Sequence, residues 1–134
     1  TDEHMWGDVG EKLGYPTFDA FMEAFAAGKI GMEESVKTLK SIDTTGMAED
    51  QPTVKKRMQA ALKEIAEETE QAGGGNVLLV AHGMSILAMI SDLTNQEMPG
   101  QLENASVTKI VYEKGEFTVE TIGDMSYVEA GEKE

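Results

Sequence analysis

The longest regular pattern of hydrophobic positions has the three- and four-residue spacing of an amphipathic helix. Asp50 suits the N-cap of this helix and Pro52 suits its first turn, while the glycines that follow Ala72 end it. The apolar stripe consists of Val54, Met58, Ala61, Leu62, Ile65, Thr69 and Ala72. The sequence therefore predicts a helix over about residues 52–72, with its acidic residues on a solvated outer face.

Shorter helical patterns precede this helix. Thr17 is a predicted N-cap, and Gly28 would end the helix that follows it. The apolar residues of that helix share one face: Phe18, Phe21, Met22 and Phe25. A second short helix is predicted over residues 32–40 and a loop over 43–51, while residues 1–16 are expected to be an irregular or loosely helical lead-in.

The segment 76–81 is a continuous apolar run, Asn-Val-Leu-Leu-Val-Ala, without polar alternation. It follows a glycine turn and precedes another helical pattern over residues 84–94. Such a run is typical of a strand covered on both faces, as in parallel sheets. A parallel strand needs parallel neighbours, and no second run of this kind occurs in the sequence, so the sheet is expected to be incomplete.

Two strands with a tight connection are predicted near the end of the chain. They cover residues 106–112 and 117–122, with Gly115 at a left-handed position between them. The acidic tail after Asp124 is expected to fray. The order of helices, strand, helix and hairpin predicts an α/β fold.

Charge narrows the range of possible partners. The 134 residues include 25 acidic and 11 basic side chains, a formal net charge of −14, and Arg57 is the only arginine. Phosphate-backbone binding needs clustered cations, so nucleic acid and anionic membranes are poor candidates as partners. The absence of cysteine and of a membrane-length apolar stretch is compatible with a cytoplasmic location, which we expect.

Candidate chemistry lies at the end of the apolar run, at His82 and Gly83. In open α/β sheets, ligands bind outside the carboxyl ends of the strands. The free amides at the start of the next helix favour an anion, and Gly83 allows a close backbone approach. An imidazole there can donate to a bound phosphate or carboxylate. The residue types alone leave a second interpretation open, in which His82 caps a buried loop.

Other candidates rest on weaker patterns. Ser85 follows a strand pattern and opens a helix, but the last glycine of Gly-x-Ser-x-Gly is missing, so a helix residue is the better interpretation. His4 lies among Asp2, Glu3 and Asp8, a cluster more typical of a solvated chain end than of a metal site. No metal and no cofactor is therefore predicted.

The segment Leu79-Val-Ala-His-Gly-Met-Ser-Ile-Leu-Ala-Met-Ile90 resembles the second-histidine motif of the histidine phosphatase superfamily, the phosphoglycerate-mutase-like proteins. Leu102-Glu-Asn-Ala-Ser-Val-Thr108 and Ile122-Gly-Asp-Met-Ser126 are similar to later parts of that family. The resemblance covers about residues 52–127. It implies part of a three-layer α/β/α fold with a mostly parallel sheet.

The resemblance also implies roles for individual residues. His82 would be the second active-site histidine, which contacts the transferring phosphoryl group, and Gly83 and Met84 would present backbone amides to the phosphate. The family's nucleophilic histidine lies in an Arg-His-Gly motif, which this sequence lacks. His4 has no preceding arginine, and Arg57 lies within a helical pattern, where a surface or packing role is expected.

The missing motif, the incomplete sheet and the start at Thr1 instead of Met together predict the C-terminal part of a longer protein. We expect residues 1–134 to form a single domain, with 17–51 as a possible helical cap or insertion. The complete protein would act on a small phosphorylated substrate through a phosphohistidine, while this chain alone would be inactive. The alternative is a non-catalytic remnant of the fold that binds a partner or self-assembles, for instance as a homodimer.

Overall fold

The computed structural model describes the backbone of residues 4–133 and the side chains of residues 5–133. The chain divides into two compact units, Thr1–Thr53 and Val54–Glu134, each with its own core. The elements are α1 (His4–Lys12), α2 (Phe18–Ala26), α3 (Met32–Ile42), α4 (Gln51–Gln71), α5 (Gly83–Ile90), β1 (Val107–Glu113), β2 (Glu116–Asp124) and α6 (Ser126–Gly131). The expectation of one domain over residues 1–134 stays a prediction.

The first unit is helical and closes around a small aromatic and aliphatic core. Its buried members are Val9, Phe21, Ala24, Ile30 and Leu39. Helices α1 and α2 approach closely at Gly10, where a Cβ atom would lie 2.9 Å from the Cβ of Phe21. The lead-in is therefore more regular than the sequence predicted, because α1 buries an apolar residue against its neighbours.

The predicted N-caps in this unit are confirmed. The Thr17 hydroxyl accepts a hydrogen bond from the Ala20 amide at 3.2 Å, and the Asp50 carboxylate accepts one from the Thr53 amide at 3.0 Å. Between α3 and α4, the Asp43 carboxylate accepts hydrogen bonds from the hydroxyl and amide of Thr45 and from the Ala48 amide. These bonds, with the Thr45 hydroxyl foremost, lower the pKa of Asp43 to about 2.

The second unit packs α4 and α5 against the β-hairpin. Its core is formed by buried Leu62, Met89, Ile90 and Val119, with half-buried Met58, Leu93, Met98, Ile110, Phe117 and Ile122 around them. The predicted stripe of α4 thus supplies Leu62 and Met58 to the core, whereas Ala61 is exposed.

A polar clamp, formed by Lys55, Gln59 and Asp92, fastens the C-terminal end of α5 to α4. The side-chain amide of Gln59 donates from Nε2 to the Met89 carbonyl at 2.8 Å and to the Asp92 carboxylate at 2.6 Å. The Lys55 ammonium lies 2.7 Å from the other oxygen of that carboxylate. The hydrogen bond from Lys55, followed by that from Gln59, lowers the pKa of Asp92.

The two strands form an antiparallel hairpin, as predicted. Glu113 pairs with Glu116, so the loop consists of Lys114 and Gly115 alone. Both loop residues have positive φ, +53° and +86°, as a type I′ turn requires. The connection is tight because Gly115 tolerates this conformation without a steric penalty.

The register of the hairpin is interrupted near its open end. Val107 pairs with Asp124 and Lys109 pairs with Thr121, so that Ile122 and Gly123 both oppose Thr108. This arrangement is a β-bulge. Gly123 has a φ of +69°, and its amide donates to the Thr108 hydroxyl at 3.2 Å.

Two predictions about local structure are wrong. Residues 76–81 are not a strand, because no described segment of the chain pairs with their backbone, and the described sheet consists of β1 and β2 only. The side chains of this run are accordingly exposed, with 86% of Leu78 and 92% of Val80 accessible. The tail after Asp124 does not fray but forms α6, whose start is fixed by a 2.9 Å hydrogen bond from the Ser126 amide to the Asp124 carboxylate.

We expect Lys114→Asn to stabilise the chain by up to about 1 kcal/mol, because asparagine adopts positive φ more readily than lysine. Urea unfolding followed by circular dichroism measures the change. Lys114→Ala is the matched control, since it removes the same exposed side chain but keeps the unfavourable backbone conformation. Equal unfolding free energies for the two variants would contradict a type I′ turn at this loop.

The clamp predicts a pH dependence of stability with a defined sign. The pKa of Asp92 is lower in the folded chain than the ordinary value of 3.8. The Asp92 carboxylate therefore adds to the free energy of unfolding above pH 3.8, and this contribution is lost as the pH falls through the lowered pKa. Asp92→Asn should therefore lower the thermal midpoint at pH 7 and narrow the difference between the midpoints at pH 7 and pH 3. Glu97→Gln, which changes an exposed carboxylate of the same unit, should leave that difference unchanged. A clamp without energetic consequence would give the same pH dependence for Asp92→Asn as for the unsubstituted chain.

Candidate active site

His82 occupies the N-cap position of α5. Its backbone is extended, with φ −95° and ψ 145°, and its carbonyl accepts the first intrahelical hydrogen bond, from the Ile86 amide at 3.0 Å. The imidazole is exposed and makes no capping hydrogen bond. The interpretation of His82 as the cap of a buried loop is therefore wrong, and the side chain is accessible to a ligand.

The first amides of α5 lie beside this imidazole. Gly83 and Met84 open the helix, and the amides of a first turn have no acceptor within their own helix. Together with the positive end of the helix dipole, such amides favour an anionic group. Met84 is exposed and Gly83 half-buried. The structure thus brings together the three residues that the sequence predicted for the site, His82, Gly83 and Met84.

The opposite end of α5 holds the helix in place. Ala88, Met89 and Ile90 are buried, and Ile90 is completely inaccessible. The polar clamp reinforces this anchorage through the Met89 carbonyl. The short helix therefore has one end in the core and the other, with His82, at the surface.

Sequence reasoning missed the residues of the clamp. Lys55 and Gln59 are separated by four positions and therefore share a face of α4, which is the one sign of a joint role that the sequence contains. Their partner Asp92 follows α5, and only the packing of α4 against α5 reveals the contact.

The weaker candidates gain no support from the structure. Ser85 is a half-buried residue of the first turn of α5. Residues 1–3 and the side chain of His4 lie outside the described residues, so of the acidic cluster around His4 only Asp8 is described, and it is exposed on α1. Arg57 is exposed on α4, and its guanidinium lies 3.9 Å from the Met58 sulfur.

Two kinds of feature are absent from residues 5–133. No group of three or more His, Asp or Glu side chains in this range is arranged to hold a metal ion. No helix within the described backbone is long and apolar enough to cross a membrane.

Comparison with a solved structure reveals a close relative. The crystal structure of phosphoglycerate mutase from Bacillus anthracis str. Sterne is 39% identical in sequence and superimposes with a TM-score of 0.78. The match covers 96% of this chain but 54% of the mutase chain, so this chain spans about half the length of that protein. The expected fold class, part of a phosphoglycerate mutase-like α/β fold with an incomplete sheet, is confirmed.

A search of curated proteins finds no match. A family model, by contrast, agrees with the solved structure. The model of the histidine phosphatase superfamily (branch 1) matches residues 27–125, which include His82, α5 and the hairpin. This chain belongs to the histidine phosphatase superfamily.

Proposed function

We propose that this chain is the C-terminal part of an enzyme that transfers or hydrolyses the phosphoryl group of a phosphate monoester through a phosphohistidine. The observation that carries the proposal is the exposed His82 beside the unpaired amides of α5, in a chain that belongs to the histidine phosphatase superfamily. His82 would donate to the transferring phosphoryl group, and the amides of Gly83 and Met84 would donate hydrogen bonds to its charged oxygens.

The covalent step requires a second histidine from the part of the protein that this chain does not span. A nitrogen of that histidine attacks phosphorus, and the bond between phosphorus and the substrate oxygen breaks. The departing oxygen takes up a proton from an acidic side chain of that same part of the protein. Water or a second hydroxyl then attacks the phosphohistidine, the bond between phosphorus and nitrogen breaks, and the attacking oxygen returns a proton to the acid. His82 would have the same role in hydrolysis and in phosphoryl transfer, which is to stabilise negative charge on the phosphoryl oxygens.

The charge of the chain supports a division of the site between two parts. A phosphate monoester is bound best by several cationic side chains, especially bidentate arginines. The sequence has a net charge of −14 and Arg57 as its one arginine, placed on α4. The remaining positive groups would therefore come from outside this chain, and the chain alone would not turn over substrate.

In the complete protein, we expect His82→Ala to lower kcat by a factor of about 10²–10³, because the developing phosphoryl charge loses a donor. Release of phosphate from p-nitrophenyl phosphate and conversion of a phosphoglycerate measure hydrolysis and transfer separately. His4→Ala, which removes the only other histidine of the chain, is the matched control and should keep full activity. Unchanged kcat in His82→Ala would refute the proposed role.

A second candidate function is self-association of a non-catalytic chain, and the exposed run Val77–Val80 favours it. Uncovered apolar segments with free backbone groups readily pair with another chain. The stretch from Gln71 to Ser91 contains no formally charged residue, so the run itself carries no charge that would repel a second copy. We propose a second copy of this chain as the occupant of the run when the rest of the fold is missing.

Light scattering coupled to size-exclusion chromatography tests this candidate. We expect a dimer at micromolar concentration that becomes more abundant as salt screens the repulsion between two acidic chains. Leu78→Lys combined with Val80→Lys should give a monomer, whereas Met47→Lys, at an equally exposed apolar residue of the first unit, should not. A monomer at all salt concentrations would exclude self-association through this run.

A further inference from the structure

Leu102 lies between the start of α5 and the β-bulge of the hairpin. A Cβ atom on Gly83 would be 3.5 Å from the Cβ of Leu102 and 3.9 Å from its backbone nitrogen and oxygen. A Cβ atom on Gly123 would be 3.0 Å from Cδ2 of the same side chain. One residue thus contacts the backbone that follows His82 on one side and the bulged strand on the other.

The Leu102 side chain approaches the backbone of Gly123 so closely that a Cβ atom there would be crowded. Gly123 has positive φ, and its amide is held by the Thr108 hydroxyl, so the bulge presents bare backbone to the Leu102 side chain. β-Bulges commonly redirect a strand next to a functional site. Because Gly123 has no Cβ atom, the end of the Leu102 side chain can lie close to the bulged backbone.

The segment that contains Leu102 is also held locally. It precedes a turn in which the Ser106 amide donates to the Glu103 carbonyl at 3.2 Å and Ala105 has a φ of +61°. The position of Leu102 is therefore set by the turn on its C-terminal side as well as by the two glycines.

A role in the core does not account for Leu102. Within the described residues of the second unit, the core is formed by Leu62, Met89, Ile90 and Val119 with their half-buried neighbours, and Leu102 is not among them. Leu93, by contrast, is a half-buried leucine that packs on this core. Leu102 instead supports the end of α5 that the core and the polar clamp do not reach.

We propose that Leu102 is a positioning residue that holds the backbone at His82 and Gly83, the start of α5, against the hairpin and thereby fixes the direction of the first amides of α5. This inference rests on the proposed function, in which those amides and His82 face the phosphoryl group. Leu102 touches no substrate in this scheme and acts through Gly83. Displacement of catalytic groups by about 1 Å can lower a rate a hundredfold, so such support has catalytic consequences.

The structural arm of the test uses this chain and amide hydrogen exchange measured by NMR. The Ile86 amide reports the first turn of α5, because it bonds the His82 carbonyl. In Leu102→Ala, exchange of Ile86 relative to the slowest amides of the unit should accelerate at least tenfold, and the signals of Gly83 and Met84 should shift. Leu93→Ala, the matched control, should accelerate all core amides together and leave that ratio unchanged.

Conservative variants separate positioning from folding. Leu102→Met keeps the volume of the side chain and should restore the ratio and the signals. If Leu102→Ala does not fold, Leu102→Val is measured in its place and should show the same change in smaller degree. Equal ratios in the Leu102 and Leu93 variants would overturn the inference.

The kinetic arm uses the complete protein. Leu102→Ala should lower kcat for p-nitrophenyl phosphate by about ten- to a hundredfold, with recovery in Leu102→Met and little change in Leu93→Ala at a temperature where all variants are folded. If His82→Ala has no effect on kcat, the proposed function fails. If His82→Ala abolishes activity while Leu102→Ala behaves like Leu93→Ala, only the positioning role fails.

Discussion

Burial of the C-terminal half of α5 is the interaction on which the rest of the second unit depends. Ile90 is completely inaccessible and Met89 nearly so, and both pack with Leu62 of α4 and Val119 of the hairpin. An eight-residue helix is too short to be stable by itself in water, so its existence depends on this tertiary contact. Because only one end of the helix is buried, its other end can remain at the surface with unpaired amides, which is where an anion site needs them.

The exposed apolar run immediately before His82 is the clearest departure from an ordinary folded domain. Val77–Val80 offers backbone donors and acceptors without partners among the described residues, together with apolar side chains that are left in water. Pairing such a segment with strands would satisfy both. The mutase chain is nearly twice as long as its matched region, and under the proposed function a part that this chain does not span would cover the run. The segment that leads into the candidate site is thus also the segment that most needs the rest of the fold.

Local signals in the sequence predicted the helices well. The caps at Thr17 and Asp50 and the glycine of the hairpin are properties of a few neighbouring residues, and the structure confirms each of them. The stripe on α4 is confirmed except at Ala61 and Ala72, which are exposed. Non-local features could not be predicted in this way. The clamp around Asp92 joins residues more than thirty positions apart, and the strand predicted at 76–81 failed because pairing depends on a partner segment and not on propensity. For the site, the motif around His82 is the basis of a prediction that stays untested, whereas the contact of Leu102 with two glycines became visible only in three dimensions.

The proposed function divides the site between this chain and a part of the protein that it does not span, and charge and topology both support that division. The chain supplies a helix N-terminus and one imidazole, groups whose N–H bonds can orient a phosphoryl group and donate hydrogen bonds to its oxygens. It does not supply a cluster of cations, since its single arginine lies on α4 and its net charge is −14. Phosphoryl transfer needs both kinds of group, because orientation without neutralisation leaves the charge on the transferring group unbalanced. Under the proposed function, the strands that cover Val77–Val80 and the cations that the phosphate requires would both come from the part of the protein that this chain does not span, so that completing the sheet would also complete the site.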